Sequence, residues 1–339
     1  MKASVFIPTG NRAESLKRVL DSLAAQTYTD FEVLIVDYKS TDETPRVIES
    51  FKKKLTITVI EQKQKGLSRA ANLALDHANG DIFIRTDDDV MMKPFWLEAI
   101  VETVKDPKVG GVTGPTVIPD EYAKNRDLFV FEDTFKKGNL FWKIIGKVYF
   151  NYFMEGNPRR VSHWFKSGAF GLGSNFESAA KEPVQEATNL EACNFSVRTE
   201  LLRKVGGFDL IYGGVGEYHE ADAAFKIKEL GYRLVFNPKA YLNHCPSQDG
   251  FFNDRPESSS RMINFIYFYL RHLKVDSLDK ALRFISYVLF LDAYYLYMFL
   301  KTKQSSQLGA IPATFAGPFV YFLSSSRRRG SRGYMDDQA

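Results

Sequence analysis

The chain has 339 residues, 45% of them hydrophobic, and a formal charge of +4 from 45 basic and 41 acidic side chains. That length and apolar share suffice for one large domain or two ordinary ones, and they exclude a disordered chain. The near balance of acids and bases gives no general case for nucleic acid as a partner, so the basic excess matters only where it clusters.

Two cysteines, Cys193 and Cys245, are too few for a disulfide framework and lack paired metal spacing, which suits a reducing compartment. The opening Met1-Lys2-Ala3-Ser4-Val5-Phe6-Ile7 reads as a strand without the apolar core and cleavage site of a signal peptide. The catalytic part is therefore expected in the cytoplasm.

Residues 4–7 read as a buried strand closed by Pro8-Thr9-Gly10-Asn11, and Leu16, Val19, Leu20 and Leu23 then recur at helical spacing. A second strand over 31–36 ends at Asp37, and Ser40-Thr41-Asp42-Glu43-Thr44-Pro45 caps another helix. A third strand is predicted over 55–60 and a helix over 66–78. The fourth strand, Ile82-Phe83-Ile84-Arg85, runs through Thr86 into Asp87-Asp88-Asp89. Strands alternating with helices predict a mainly parallel α/β sheet flanked by helices, with ligands outside the carboxyl ends of the strands. Asp37 and the three consecutive carboxylates should share that edge.

A helix over 94–104 and a strand over 109–117 follow. Residues 120–186 are irregular and aromatic, including Phe129, Phe131, Phe135, Phe141, Trp142, Tyr149, Phe150, Tyr152, Phe153 and Trp164. They would cover a substrate, contact a membrane or fill a second small core. A strand over 189–197 and a short helix over 200–205 come next. Glu217, Glu220 and Asp222 then lead a helix that stops at Gly231, and extended pieces over 234–236 and 240–242 reach His244.

Past His244 the composition shifts. Residues 262–274 suit an amphipathic helix with a basic end, and 284–300 is almost wholly apolar except for Asp292. That run falls short of the about 20 residues of a span and has a central carboxylate, which favours an interfacial helix. Residues 311–323, broken by Pro312, Gly317 and Pro318, are also too short to cross, and Arg327-Arg328-Arg329 with Arg332 could hold an anionic leaflet. Monotopic membrane association is the reading taken, against an oligomer interface or a helical cap.

Three like charges at a strand end repel one another, and a divalent cation with oxygen ligands would compensate them. Alternation along the chain lets Asp87 and Asp89 face one crevice while Asp88 points elsewhere. Asp87-Asp88-Asp89-Val90 also fits the nucleophile motif of haloacid dehalogenase phosphatases, but there the motif ends the first strand and here three strand candidates precede it.

An ordered set of short motifs then carries a resemblance. It comprises Val5-Phe6-Ile7-Pro8-Thr9 with Asn11-Arg12, Val36-Asp37 with Ser40-Thr41-Asp42, Lys65-Gly66-Leu67-Ser68-Arg69-Ala70-Ala71-Asn72, Gly80-Asp81 before the acidic triplet, and Gly206-Gly207-Phe208-Asp209 before Gly231-Tyr232-Arg233. Residues 4–244 thereby resemble the family 2 inverting glycosyltransferases with a GT-A (Rossmann-like) fold.

The resemblance implies a nucleotide-sugar-binding half over 1–118 and an acceptor and catalytic-base half over 119–250, to which composition adds a helical, membrane-associating region over 251–323 and a basic tail over 324–339. It places Pro8, Thr9, Asn11, Arg12, Asp37, Tyr38, Arg69, Asp87 and Asp88 around a UDP- or GDP-linked donor. Tyr38 stands where a second acid is frequent. Asp87, Asp89 and His244 would hold Mn2+ or Mg2+, and Glu220 would be the base, with Glu217 the runner-up. The implied reaction transfers a sugar to a hydroxyl of a saccharide or lipid-linked acceptor at the cytoplasmic membrane face. A non-catalytic nucleotide-sugar binder or membrane scaffold is the alternative, and oligomerisation is left open.

Overall fold

The computed structural model describes residues 1–123, 133–214, 216–246 and 258–328, with side chains as far as residue 324. Its centre is an eight-stranded sheet in the order β3-β2-β1-β4-β9-β6-β10-β8. The first half supplies β1 (Ala3–Thr9), β2 (Phe31–Asp37), β3 (Ile57–Glu61) and β4 (Ile82–Arg85), all parallel. Between them run α1 (Ala13–Ala24), α2 (Thr44–Phe51) and α3 (Leu67–His77). Val5 and Ile7 of β1 join one core cluster and Phe6 the other, so both faces of the sheet are buried, as near-continuous apolar strands require.

The first strand does not close before Pro8 but runs through it to Thr9. Phe6 turns its carbonyl toward β4, accepting from the Thr86 N–H, and Pro8 has the same orientation two residues later. By then β4 has ended, its last pair being Phe6 with Arg85, so the N–H that proline lacks has no partner to serve.

The strand expected over 109–117 is two strands. After β5 (Val90–Met92) and α4 (Trp96–Val104), β6 (Val109–Thr113) stays in the large sheet and β7 (Thr116–Val117) enters a second sheet of order β5-β11-β7. The break is Gly114-Pro115, where a Cβ on Gly114 would come within 2.2 Å of the Ala240 carbonyl oxygen. A short helix, α5 (Asp120–Ala123), follows, then α6 (Leu140–Val148) and the edge strand β8 (Gln185–Ala187). The strand expected from 189 begins only at Phe195, after a 3-10 turn, and β9 (Phe195–Arg198) lies antiparallel between β4 and β6. Next come α7 (Thr199–Lys204), α8 (His219–Glu229), β10 (Arg233–Phe236) and β11 (Leu242–His244).

The C-terminal helices are α9 (Ser258–Phe268), α10 (Leu278–Thr302) and α11 (Ala310–Arg328). Part of the aromatic stretch fills the core that joins them to the body: Tyr149, Phe150, Tyr152, Phe153 and Phe165 pack there with Phe265, Tyr269 and Tyr287. Phe129 and Phe131 lie outside the described residues.

Two expectations about these helices are corrected. The apolar run is not short but belongs to a helix of 25 residues, long and apolar enough to cross a membrane by length and composition, which removes the length argument for an interfacial helix without contradicting that placement. Residues 311–323 are not broken but form part of a helix of 19 residues. Pro312 sits in its first turn, where an N–H has no helical partner, and Gly317 lets α11 approach α9 so closely that a Cβ would meet Ile266 at 2.8 Å.

Buried charges clamp α9 and the turn after it onto α8. Asp222 accepts from Tyr212 Oη at 3.0 Å and from His272 Nε2 at 2.8 Å, and it pairs with Lys226 at 2.6 Å and Arg271 at 2.8 Å. Burial by itself would raise its pKa, but the His272 hydrogen bond and the Lys226 and Arg271 charges outweigh it and hold the carboxyl well below the usual range. A depressed folded-state pKa gives stability that is complete above the unfolded value of about 3.9 and is lost as pH falls toward the folded one. Thermal melts are therefore expected to weaken on acidification below about pH 4, and Asp222→Asn to remove that contribution. An acid limb identical in wild type and variant would refute it.

Candidate active site

The ends of β1, β2 and β4 open on one edge, and the second sheet closes over it. Antiparallel pairing sets His244 of β11 opposite Val90 of β5, so His244 comes beside Asp89 although 155 positions of chain separate them. The His244 Nε2 lies 3.3 Å from Asp89 Oδ1, and the Cys245 N–H donates to the Asp89 carbonyl at 2.8 Å. One ligand atom each from Asp87, Asp89 and His244 lie within 4.8 Å of one another. Two carboxylate oxygens and an imidazole nitrogen form a donor set that fits manganese or magnesium.

The three carboxylates are not left to a cation alone. Arg12 reaches across from the start of α1 to Asp88 at 2.8 Å and Asp89 at 3.2 Å, and Thr9 Oγ1 donates to Asp88 at 2.8 Å. Buried Asp88 is pushed up to about 7, chiefly by burial, with Arg12 opposing and Asp89 adding to the rise. Arg85, the last residue of β4, donates to Asp87 Oδ1 at 2.9 Å and pairs with Glu220 through its other terminal nitrogen. Repulsion within the triplet thus has two arginine answers, and the case for a metal rests on the Asp87, Asp89 and His244 geometry.

Glu220 is in the first turn of α8, buried, with one oxygen on Arg85 and the other 3.2 Å from His219 Nδ1. His219 Nδ1 also faces the Gly216 carbonyl. Two acceptors at Nδ1 put the proton there, and burial holds the ring pKa down. A neutral His219 thus steers Glu220. Glu217, the runner-up base, is bound by Arg261 of α9 at 2.8 and 2.9 Å.

The donor-side candidates divide into groups. Pro8 and Thr9 are buried in β1, and Thr9 pairs with Asp37 across β1 and β2. Asp37 accepts from Ser40 Oγ at 2.5 Å, so it does cap the turn after β2. Asn11, with a φ of 55°, stitches two loops: its N–H donates to Ser40 Oγ at 2.9 Å and its Oδ1 accepts from Thr41 N at 2.7 Å. Tyr38 is half-buried beside Asp37, and Arg69 is exposed one turn into α3. The residue that sequence reasoning passed over is Arg85. Its signal was a charged side chain in a four-residue strand buried throughout, a place where charge persists only if paired.

The acidic motif ends β4, which lies next to β1 within the sheet; the phosphatase reading, which needs it at the end of the first strand, does not fit. Residues 4–165 match the profile of glycosyl transferase family 2. The glucosyl-dolichyl phosphate glucuronosyltransferase of Haloferax volcanii is 27% identical over 252 residues, covering 72% of this chain and 69% of that protein. The poly(ribitol-phosphate) beta-N-acetylglucosaminyltransferase TarS of Staphylococcus aureus is 38% identical over 93 residues, which is 26% of this chain but 16% of that protein.

Among solved structures, the mannosyltransferase PcManGT from Pyrobaculum calidifontis, in complex with GDP-Man and Mn2+, aligns with a TM-score of 0.54 at 19% identity, covering 94% of this chain and 87% of that one. S. aureus TarS 1–349 in complex with UDP-GlcNAc has a TM-score of 0.54 at 17% identity, covering 99% and 93%. At such identities the structures show a common fold.

Proposed function

This chain is a glycosyltransferase of family 2 with a GT-A fold, and from that premise we propose that it transfers a sugar from a UDP- or GDP-linked donor to a hydroxyl of a lipid-linked saccharide, inverting the anomeric carbon. The observation that carries the proposal is the meeting, in one crevice, of the Asp87, Asp89 and His244 group with the Arg85–Glu220 pair. Donor and acceptor chemistry need two such centres side by side.

Asp87, Asp89 and His244 would hold Mn2+ or Mg2+, which when bound supplies charge neutralisation for a departing nucleoside diphosphate. Asp37, Tyr38 and Arg69 line the strand-end edge on the donor side and would contact base, ribose or phosphate. Thr9, Asn11, Arg12 and Asp88 hold that edge in shape through the bonds already described. Glu220 takes the proton from the acceptor hydroxyl as its oxygen attacks the anomeric carbon from the face opposite the leaving group. Arg85 and neutral His219 hold the Glu220 carboxylate in place.

Two features support a lipid-linked acceptor at a membrane: the name of the H. volcanii relative, a glucosyl-dolichyl phosphate glucuronosyltransferase, and the long apolar C-terminal helix. The test is a thermal-shift panel of UDP- and GDP-sugars with and without manganese, on wild type and Asp89→Ala. A donor at about 100 times its Kd should stabilise the wild type by about 2.7 kcal/mol, through mass action. The manganese-dependent part of that shift should vanish in the variant. A full panel without a shift, or an unchanged manganese effect in Asp89→Ala, would sink the donor assignment.

A further inference from the structure

Three helices away from the crevice carry most of the large apolar side chains that the described residues leave exposed. On α10 they include Leu282, Ile285 and Leu289, and on α11 Phe315, Phe319 and Phe322. On α6 they are Leu140, Phe141, Ile144 and Val148. The spacing in each set is three or four residues, with Phe141 filling in beside Leu140, so each helix presents one continuous apolar ridge.

The ridges belong together. Trp142 of α6 packs on Tyr297 of α10 with ring centroids 5.1 Å apart, and Thr314 of α11 donates to Asp292 of α10 at 2.9 Å. The opposite face of α10 is fixed to the body: Phe284, Tyr287, Val288 and Tyr295 are buried with Phe153 and Phe265. With Phe284, Tyr287, Val288 and Tyr295 buried against protein, that side of α10 is closed to lipid, while its other side is exposed. The helix can lie in an interface with one side immersed.

We propose that the outer faces of α6, α10 and α11 form a monotopic platform that rests on an anionic lipid surface. Charge argues for that occupant over a second copy of the chain. Lys143 and Lys147 lie exposed between the apolar positions of α6, and Lys301 and Lys303 lie exposed at the end of α10 beside Leu300. Among the described residues, acids of these helices and their flanks are already engaged: Asp133 with Lys137, Asp279 with Arg283 and Lys166, Asp276 with Lys280, and Asp292 with Thr314. A two-fold dimer through this face would set lysine fringes against each other, whereas an anionic headgroup layer attracts them.

The platform is also tied to catalysis in space. It packs on α9, whose Arg261 holds Glu217 three residues before Glu220. If the acceptor is lipid-linked, as proposed above, the base therefore has a set height above the lipid.

The test is vesicle flotation of the full chain, with phosphatidylcholine alone and with phosphatidylcholine mixed with phosphatidylglycerol. The variants are Ile285→Asp with Leu289→Asp, and Phe315→Asp with Phe319→Asp, all at exposed positions. Wild type should float with the mixed vesicles, and each pair should lower the bound fraction about tenfold while donor binding and the melting temperature stay unchanged. Failure of wild type to float, undiminished flotation of the variants, equal flotation on neutral vesicles, or a wild-type dimer that these variants dissociate would each overturn the proposal. Donor binding in the same samples keeps that failure separate from failure of the transferase reading.

Discussion

Glu220→Gln is expected to lower the rate of sugar transfer by about 10²–10⁴-fold while donor affinity is retained, the usual effect of removing a general base. The substitution keeps the shape of the side chain and its place in the first turn of α8. What it removes is the carboxylate that would accept the proton of the acceptor hydroxyl. Glu217 is bound by Arg261 and Asp222 by His272, Lys226 and Arg271, while Glu220 itself is held by Arg85 and His219. Single-turnover transfer measured beside donor titration separates the two effects. Transfer at the wild-type rate in Glu220→Gln would take the base role from this residue, and loss of donor binding would mean the variant had disturbed the whole crevice.

Arg85→Leu is expected to cost about 3–5 kcal/mol of folding stability, because it leaves two carboxylates without their buried counter-charge. The guanidinium is 3% exposed and pairs with Asp87 and Glu220 together. Burial opposes its charge, yet Glu220 and then Asp87 hold its pKa above the ordinary range. Denaturant unfolding measures the loss, and a double-mutant cycle identifies its cause. Adding Glu220→Gln to Arg85→Leu should restore part of the stability, since one stranded charge is then removed. Simple addition of the two single losses would show that Arg85 acts through packing and not through the pair.

The two variants together describe a site whose halves share one side chain. Arg85 pairs with both Asp87 and Glu220, so a disturbance of either carboxylate is felt by the other. Sequence reading had Asp87 and Glu220 as members of separate halves, with nothing between them.

The parts that were legible are those a short window of chain encodes. The first four strands and their helices follow from apolar runs and helical spacing, and the acidic triplet was expected where it lies, at the end of the fourth strand. Misreadings came where a local rule met a distant neighbour. Proline is normally a strand breaker, but Pro8 is tolerated because β4 has already ended beside it. The 189–197 run looks extended, but Asn194 is held in a turn by the Ala240 carbonyl at 2.7 Å and by Trp96 Nε1 at 2.9 Å. Prolines 312 and 318 read as helix breaks, but Pro312 falls in the first turn of α11, where its missing N–H costs nothing, and the helix continues through Pro318.

By itself the sequence determined the alternation of strands and helices, the parallel first half, the placing of three carboxylates at a strand end and the motif order that resembles family 2. These depend on contacts within a turn or between successive elements, and residue pattern suffices for them. Only the tertiary structure decided which charge answers which. Register brought His244 to Asp89, β9 entered between β4 and β6, and Arg12 and Arg85 came to bind the carboxylates that had first called for a cation. A buried charge is stabilised by whatever partner the chain crossings deliver within a few ångströms, and no local propensity specifies that partner.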